Sequence, residues 1–408
     1  MYNYKIDIPT EELDALSVSH QYTSIYQSSA WCNVKKDWGM YTIGVYKDGV
    51  LVGGSYILKR NVVLNFTLGY MTRGPLLDFS DEAMVKCFFE GLKVLAKREH
   101  MISVKFDPNI FDTYVISDKE NAMNYRNDEL VSLLNKYNCK HLGYTMDLYD
   151  AVQPRMQLTL PKVDDLNERF PKKTRDKLKQ AKENHVEIEE KGIEGVHEFT
   201  RLIELTESRK GIVLRDEAYF KTMMSAFTNK STLLFAYVNL KEKAVDLEMK
   251  YNELTNKLQS LDAVAVNKIE ETKKRIAKVE REQAEVKALR EKDGDRPLVS
   301  ALLLVRDNET AELLYSGLNG DYRKFYAAYK LREAAIEWTF NKGCTYFNFG
   351  GVECQFDGGL FEFKSSFHPD IRTYVGEFDF VVNPILFVGM NKGIHYVKLL
   401  KMKLAKKG

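Results

Sequence analysis

YTIGVYKDGVLVGGSYILKR, residues 41–60, reads as a β-hairpin. Two β-rich runs flank Lys47-Asp48-Gly49, a tight-turn sequence. Further along, STLLFAYVNL (231–240) resembles the first strand and RPLVSALLLVR (296–306) the second. LVGGSYILK lies over LVSALLLVR with hydrophobes at matching places. The correspondence extends outward, with Leu68-Gly69-Tyr70 aligned to Leu313-Leu314-Tyr315. An amphipathic helix follows in each copy, about Asp81–Arg98 and Tyr322–Asn341. Each helix leads into another strand, ISVKFDP (102–108) and TYFNFGG (345–351). The pattern is a hairpin, strand, helix, strand unit occurring twice.

The copies differ at the hairpin turn. Where the first has Lys47-Asp48-Gly49, the second has residues 241–294, with no Pro and no Gly before Gly294. Leu247, Tyr251, Leu254, Leu258, Leu261 and Ala265 alternate spacings of four and three, the seam of a coiled coil. Ile269, Thr272, Ile276, Val279, Gln283 and Val286 keep that spacing one residue out of phase. Entry and exit join paired strands, so the segment predicts an antiparallel helical hairpin with its tip near Val266–Lys268. It reads either as an arm that contacts a large partner or as a spacer or dimerisation arm. Its 13 basic and 12 acidic residues make it no simple phosphate clamp.

The chain has 408 residues, 44% hydrophobic and 29% charged, which excludes disorder as the main state and fits two or three domains. Sixty Lys and Arg stand against 58 Asp and Glu, a net charge of +2. A polyanion site must therefore come from a local patch. Arg169, Lys172, Lys173, Arg175, Lys177, Lys179 and Lys182 form one such patch, with Asp176 as its one internal acid. It is a phosphate-binding face or a solvated helix face. The tail, NKGIHYVKLLKMKLAKKG (391–408), has six lysines and no acid. It reads as a basic amphipathic helix touching an anionic membrane, or as a docked terminal helix. The five scattered cysteines form no CxxC, which fits a reducing cytoplasm. The N-terminus carries no secretory signal, and no apolar run has the length of a membrane span. No histidine pair has metal-ligand spacing, so no metal site is expected.

The order of elements suggests acetyltransferase-like units. That fold carries an R/Q-x-x-G-x-G/A loop whose backbone N–H groups bind the cofactor pyrophosphate. Neither Asn319-Gly320-Asp321-Tyr322-Arg323-Lys324 nor Arg73-Gly74-Pro75 matches it. Acyl-CoA is therefore not the expected donor.

QSSAWCNVK (27–35), TRGPLLDF (72–79), KFDP (105–108) and FPKKTRDKLKQAK (170–182) are followed by SRKGIVLRDEAYF (208–220), LLYSGLN (313–319), YFNFGGV (346–352) and GLFEFKSSF (359–367). In this order they resemble the Fem family of peptidoglycan-bridge aminoacyltransferases, especially its MurM- and MurN-like branch. The resemblance covers nearly the whole chain. It implies an α/β (α+β) fold of two acetyltransferase-like (GNAT-like) domains with an inserted antiparallel coiled-coil arm. Residues 1–152 plus 375–408 would form the first domain, 153–374 the second, and 241–294 the arm. The implied reaction moves Gly, Ala or Ser from aminoacyl-tRNA, a co-substrate, to the stem-peptide lysine or the growing bridge of a precursor. No resident cofactor is implied. The acceptor is lipid-linked in most members and nucleotide-linked in some. A cytoplasmic protein touching the inner membrane surface is implied, with related transferases of the family as further partners. Rival readings are a CoA-dependent N-acyltransferase with a degenerate loop, and a non-catalytic tRNA- or membrane-binding scaffold.

The resemblance also assigns roles. Lys35 and Arg215 match positions that hold the acceptor's diphosphate and sugar, a task suited to two cations. Tyr219 and Tyr315 match acceptor-contacting positions; Tyr219 is expected to share a helical face with Arg215, and Tyr315 to end the central strand of the second domain. Lys364, with Phe363 beside it, matches the lysine that stabilises the reaction's oxyanion; otherwise it is an ordinary surface lysine. Asp107, at a strand end before Pro108, would position or deprotonate the attacking amine, or serve as a strand-end cap. Lys172, Lys173, Arg175 and Lys179 are the candidate tRNA contacts.

Overall fold

The computed structural model describes residues 1–390 apart from 64, 116–121, 125–126, 149, 212–214, 263, 354 and 356–357. The predicted basic tail at 391–408 lies outside the described residues, as does Cys354.

The hairpin at 41–60 forms from the strands Gly39–Lys47 and Val50–Val63. Asp48 (φ +52°) and Gly49 (φ +88°) both adopt left-handed backbone at its turn, the hand that matches strand twist. The hairpin nucleates a seven-stranded sheet. In spatial order its strands are Tyr2–Ile6, Gly39–Lys47, Val50–Val63, Phe66–Met71, Met101–Phe106, Phe378–Val381 and Cys139–His141. The helix Glu82–Arg98 starts at Asp81, whose carboxylate caps the Met84 N–H. It buries Val85, Phe88, Phe89 and Leu92 at helical spacing against Ile43, Ile57, Met71 and Phe106 of this sheet.

The second copy builds a nine-stranded sheet. Its order is Val186–Lys191, Ser231–Val238, Leu298–Arg306, Thr310–Leu318, Tyr346–Gly351, Met156–Pro161, Asp370–Tyr374, Phe111–Val115 and Ala122–Asn124. The long helix of this copy is Ala327–Asn341. It begins later than predicted, because Gly320–Phe325 forms a 3-10 turn capped by Asn319. The sheets also cross the expected domain border at 152/153. Phe111–Val115 and Ala122–Asn124, placed in the first domain from sequence, lie in the second sheet. Side chains fasten Phe111–Val115 there: Tyr114 donates to Asp370 at 2.6 Å and Arg155 to Asp112 at 2.9 Å. The chain leaves the second sheet after Tyr374 and enters the first at Phe378.

Residues 240–293 form the antiparallel arm, from the helices Leu240–Ser260 and Val266–Asp293. Its buried seam is Leu247 and Leu254 against Thr272, Val279 and Val286, seven residues apart within each helix. The tip falls at 261–265, earlier than predicted, because Asp262 accepts from the backbone of Val264 and Ala265 and turns the chain. The arm's ends stay paired: Val238 N–H donates to Pro297 and Leu240 N–H to Asp295. Among the described residues no helix is long and apolar enough to cross a membrane.

Candidate active site

The two central strands of the second sheet, Thr310–Leu318 and Tyr346–Gly351, pair in parallel only from Thr310–Tyr346 to Glu312–Asn348. Beyond that they part. The first copy has no such gap, since Phe66–Met71 stays paired with Met101–Phe106 up to Met71 and Phe106. A bulge shapes the gap's wall. Leu303 faces Tyr315 while Leu304 faces Leu313, so Leu314 is an extra residue. Strand alternation puts Glu312 and Leu314 on one face, and the bulge turns Tyr315 to that face as well. Tyr315 therefore sits inside its strand, three residues before the end, and not at the end as expected.

A cavity of about 470 Å³ lies over the gap. The first half supplies Trp31, Lys35, Trp38 and Tyr70, and the second supplies Arg215, Tyr219, Glu312 and Tyr315. Lys35 ends the short helix Ser29–Val34, whose first turn Ser28 caps. Its ammonium stands 5.0 Å from the Trp31 ring centroid and 5.2 Å from that of Tyr219. Burial, and then the Arg215 charge, push its pKa down to about 8. The Arg215 guanidinium also lies over Tyr219, 5.0 Å from its ring centroid. It precedes the helix Glu217–Ala226 and is capped off from it by Asp216, so the expected shared helical face does not exist. Stacking, not helical spacing, joins the two residues. Tyr219 in turn meets Tyr315 edge-on at 6.2 Å. Two cations thus converge on one tyrosine, and the charged neighbour acting on Lys35 is itself a cation.

Asp107 is not among the residues lining this cavity. It is 2% exposed and follows the strand Met101–Phe106. Its Oδ1 accepts from Tyr70 Oη and from the Arg73 backbone N–H, both at 3.0 Å, and Arg73 Nε approaches Oδ2 at 3.7 Å. Burial raises its pKa to about 6, with Arg73 opposing. Asp107 anchors Arg73, a non-glycine residue at φ +54°, beneath the cavity wall.

The carboxylate that does face the cavity is Glu312, which the sequence reading missed. It is the last paired residue before the strands part. The Asn348 side chain hydrogen bonds it and also bridges to Gln157 at 2.8 Å and to the Gly350 N–H at 2.8 Å. Burial, then Asp307, push its pKa up to about 7, against Asn348, Arg73 and Arg372. The available signal was a single acid between Ala311 and Leu313 in an apolar strand.

Lys364 lies in the helix Gly358–Ser365 and is 8% exposed, so it is no surface lysine. Its ammonium donates to the Gly351 carbonyl at 2.8 Å. With Phe363 it lines a second cavity of about 290 Å³. Phe363 is held edge-on by Tyr329 at 5.1 Å. Leu313, Leu314, Gly350 and Gly351 wall both cavities, so the two adjoin where the strands part. The basic helix Lys172–Glu183 packs beside it, with Thr174 donating to the Ser366 carbonyl. Lys172, Lys173 and Lys179 are exposed. Arg175 instead spends its guanidinium on the carbonyls of Asn167 and Phe170, at 2.8 and 2.9 Å. None of the four lines either cavity.

Two copies of an acetyltransferase-like sheet, one closed and one parted over a cationic and aromatic cleft, define a tandem acyltransferase-type fold. The chain belongs to the FemAB family, whose family model matches residues 8–392. It is 28% identical to the Lipid II:glycine glycyltransferase of Staphylococcus epidermidis over 422 aligned residues, covering 98% of this chain and 97% of the relative. The Staphylococcus aureus protein of the same name is 26% identical over 427 residues, with 99% of each chain covered. The crystal structure of FemX superposes with a TM-score of 0.75 at 26% identity, over 94% of this chain and 98% of the other.

Proposed function

We propose that the protein is a tRNA-dependent aminoacyltransferase of peptidoglycan bridge synthesis. It moves a small amino acid from aminoacyl-tRNA to an amine of the precursor, either the stem-peptide lysine or the end of a growing bridge. The observation that carries this reading is the pair of adjoining cavities, one lined by Lys35 and Arg215 and the other by buried Lys364. The names of the relatives support a lipid-linked acceptor and glycine as the residue moved.

The chemistry is aminolysis of an ester. Lys35 and Arg215 hold the acceptor diphosphate, and Tyr219 and Tyr315 orient its sugar. The acceptor amine enters neutral, having lost its extra proton to solvent. Its nitrogen forms a bond to the aminoacyl carbonyl carbon, and the carbonyl π electrons move onto oxygen. Lys364 stabilises that oxyanion from a buried site, where a fixed cation is most effective. Glu312 accepts the surplus nitrogen proton and returns it to the ribose oxygen as the ester C–O bond breaks. The products are an amide and a free tRNA hydroxyl.

The test is transfer of labelled glycine, alanine and serine from charged bacterial tRNA to lipid II, with acetyl-CoA as a parallel donor. Label moving from tRNA is expected, and its identity fixes the residue. Transfer from acetyl-CoA alone would return the CoA-dependent reading, and none from either the scaffold reading. Lys364→Met is expected to lower kcat by about 10²- to 10³-fold while acceptor affinity stays nearly intact.

A further inference from the structure

Arg332 is a buried cation with no ion-pair partner among the described residues. It lies on the helix Ala327–Asn341 and is 6% exposed. Its Nη2 donates to Ser316 Oγ at 3.0 Å, and its guanidinium stands 5.6 Å from the Phe363 centroid. Its Nε is buried without a hydrogen-bond partner. Arg73, the other arginine this deeply buried, reaches Asp107 at 3.7 Å, and Arg155 and Arg169 reach Asp112 and Asp370 at 2.9 and 3.0 Å. Burial pulls the Arg332 pKa down to about 10, with no charged partner opposing.

Arg332 faces the same 290 Å³ cavity as Lys364. Hydroxyl residues Thr206, Ser300 and Ser316 add to its polar lining, and no Asp or Glu is among the described lining residues. Burying a guanidinium without a counter-charge is costly, and packing alone would be served as well by a Met. The site therefore lacks an anion.

We propose that this cavity binds a phosphodiester of the aminoacyl donor, the one joining its terminal nucleoside to the nucleotide before it, with Arg332 as the phosphate's partner. The assignment rests on the aminoacyl-tRNA reading given above. Lys364 meets the ester carbonyl at the Gly351 end of the cavity, and the nearest anion on such a donor is the phosphate on the 5′ side of the same ribose. The acceptor's diphosphate already has Lys35 and Arg215 in the other cavity. Arg332 lines the cavity, and Ser316 fixes the plane of its guanidinium.

The test uses the full chain and two probes, CpA, which carries one such phosphodiester, and adenosine, which carries none. Wild type is expected to bind CpA about 10- to 100-fold more tightly than adenosine by calorimetry. Arg332→Met should bind both equally, and Arg332→Lys should keep part of the preference. Ser316→Ala, a smaller change, should reduce it without unfolding the protein. Aminoacylated CpA and adenosine as transfer donors should show the same ratio in KM. Equal binding of CpA and adenosine by wild type overturns the site. So does an unchanged preference in Arg332→Met, or a rise confined to acceptor KM, which would give the phosphate to the acceptor. A wild type that binds CpA but transfers from no tRNA would defeat the proposed reaction and leave the phosphate site standing.

Discussion

Glu312 and Lys35 share one cavity, and their pKa values have moved toward each other, to about 7 and about 8. Carboxylate and ammonium coexist best between those values. The kcat/KM for acceptor is therefore expected to be bell-shaped, peaking between about pH 7 and 8. Glu312→Gln should remove the acid limb and Lys35→Ala the alkaline one; a flat profile in wild type would separate both residues from the reaction. The same carboxylate affects stability. An acid whose folded pKa lies above its unfolded value is protonated more readily in the fold. Its contribution to stability therefore declines as pH rises from about 4.5 toward 7. Glu312→Gln is expected to be more stable than wild type at pH 8 by about 1–3 kcal/mol and equal at pH 4, read from denaturant melts. Some of these side chains were legible in the sequence and some were not. Lys35, Arg215, Tyr219 and Tyr315 sit in motifs, and the fold brings all four to one cavity. Glu312 stayed hidden because its strand is covered on both faces, and a pattern of apolar residues does not say which face opens. Arg332 reads as the polar side of an amphipathic helix. Its burial depends on the distant helix Gly358–Ser365, which brings Phe363 to within 5.6 Å.

At the scale of the element, the same hairpin is closed by two residues in one copy and by an arm in the other. The heptad seam made the arm readable, while its tip needed the Asp262 turn, which carries neither Gly nor Pro. The arm's base sits at the rim of the cleft. Leu318, beyond the parted strands, pairs with Ser300 just inside the arm's return. Tyr322 donates to Asp293 at 2.7 Å, and Lys292 pairs with Asp321 at 2.7 Å. Tyr322 also lines a neighbouring cavity shared with Phe363. The arm's base thus borders the cavity proposed above for the donor, which Ser300 and Leu318 line. Replacing 241–294 by Asn-Gly, a turn of the type found at Asp48-Gly49, should leave a folded protein. Acceptor KM should stay within about twofold, while KM for full-length aminoacyl-tRNA rises about tenfold or more. A short aminoacyl-RNA should not distinguish the two proteins. A loss seen equally with both donors would mean that the arm supports the cleft's shape instead.

The whole molecule is held together by exchange between its halves. Phe111–Val115 and Ala122–Asn124 leave the first half to extend the second sheet, and Phe378–Val381 returns to the first. There it is the bridge between Met101–Phe106 and Cys139–His141, so without it the last strand loses its partner. One hydrophobic core spans both halves, packing Trp31, Tyr56 and Leu58 against Phe199, Phe220 and Leu303. The repeat in the sequence showed the two copies, but not this exchange, because strands such as Ala122–Asn124 are three residues long and carry no pattern of their own. Residues of both halves, Lys35 and Arg215 among them, line the 470 Å³ cavity, so it exists only in the intact chain. Separate fragments 1–152 and 153–408 are accordingly expected to be insoluble or unfolded, each exposing half of that core. Calorimetry of the intact protein should show one main transition, with a calorimetric enthalpy matching the van't Hoff value. Two independent transitions, with fragment 1–152 reproducing the lower one, would mean that the halves fold alone and that the cavity is assembled by docking.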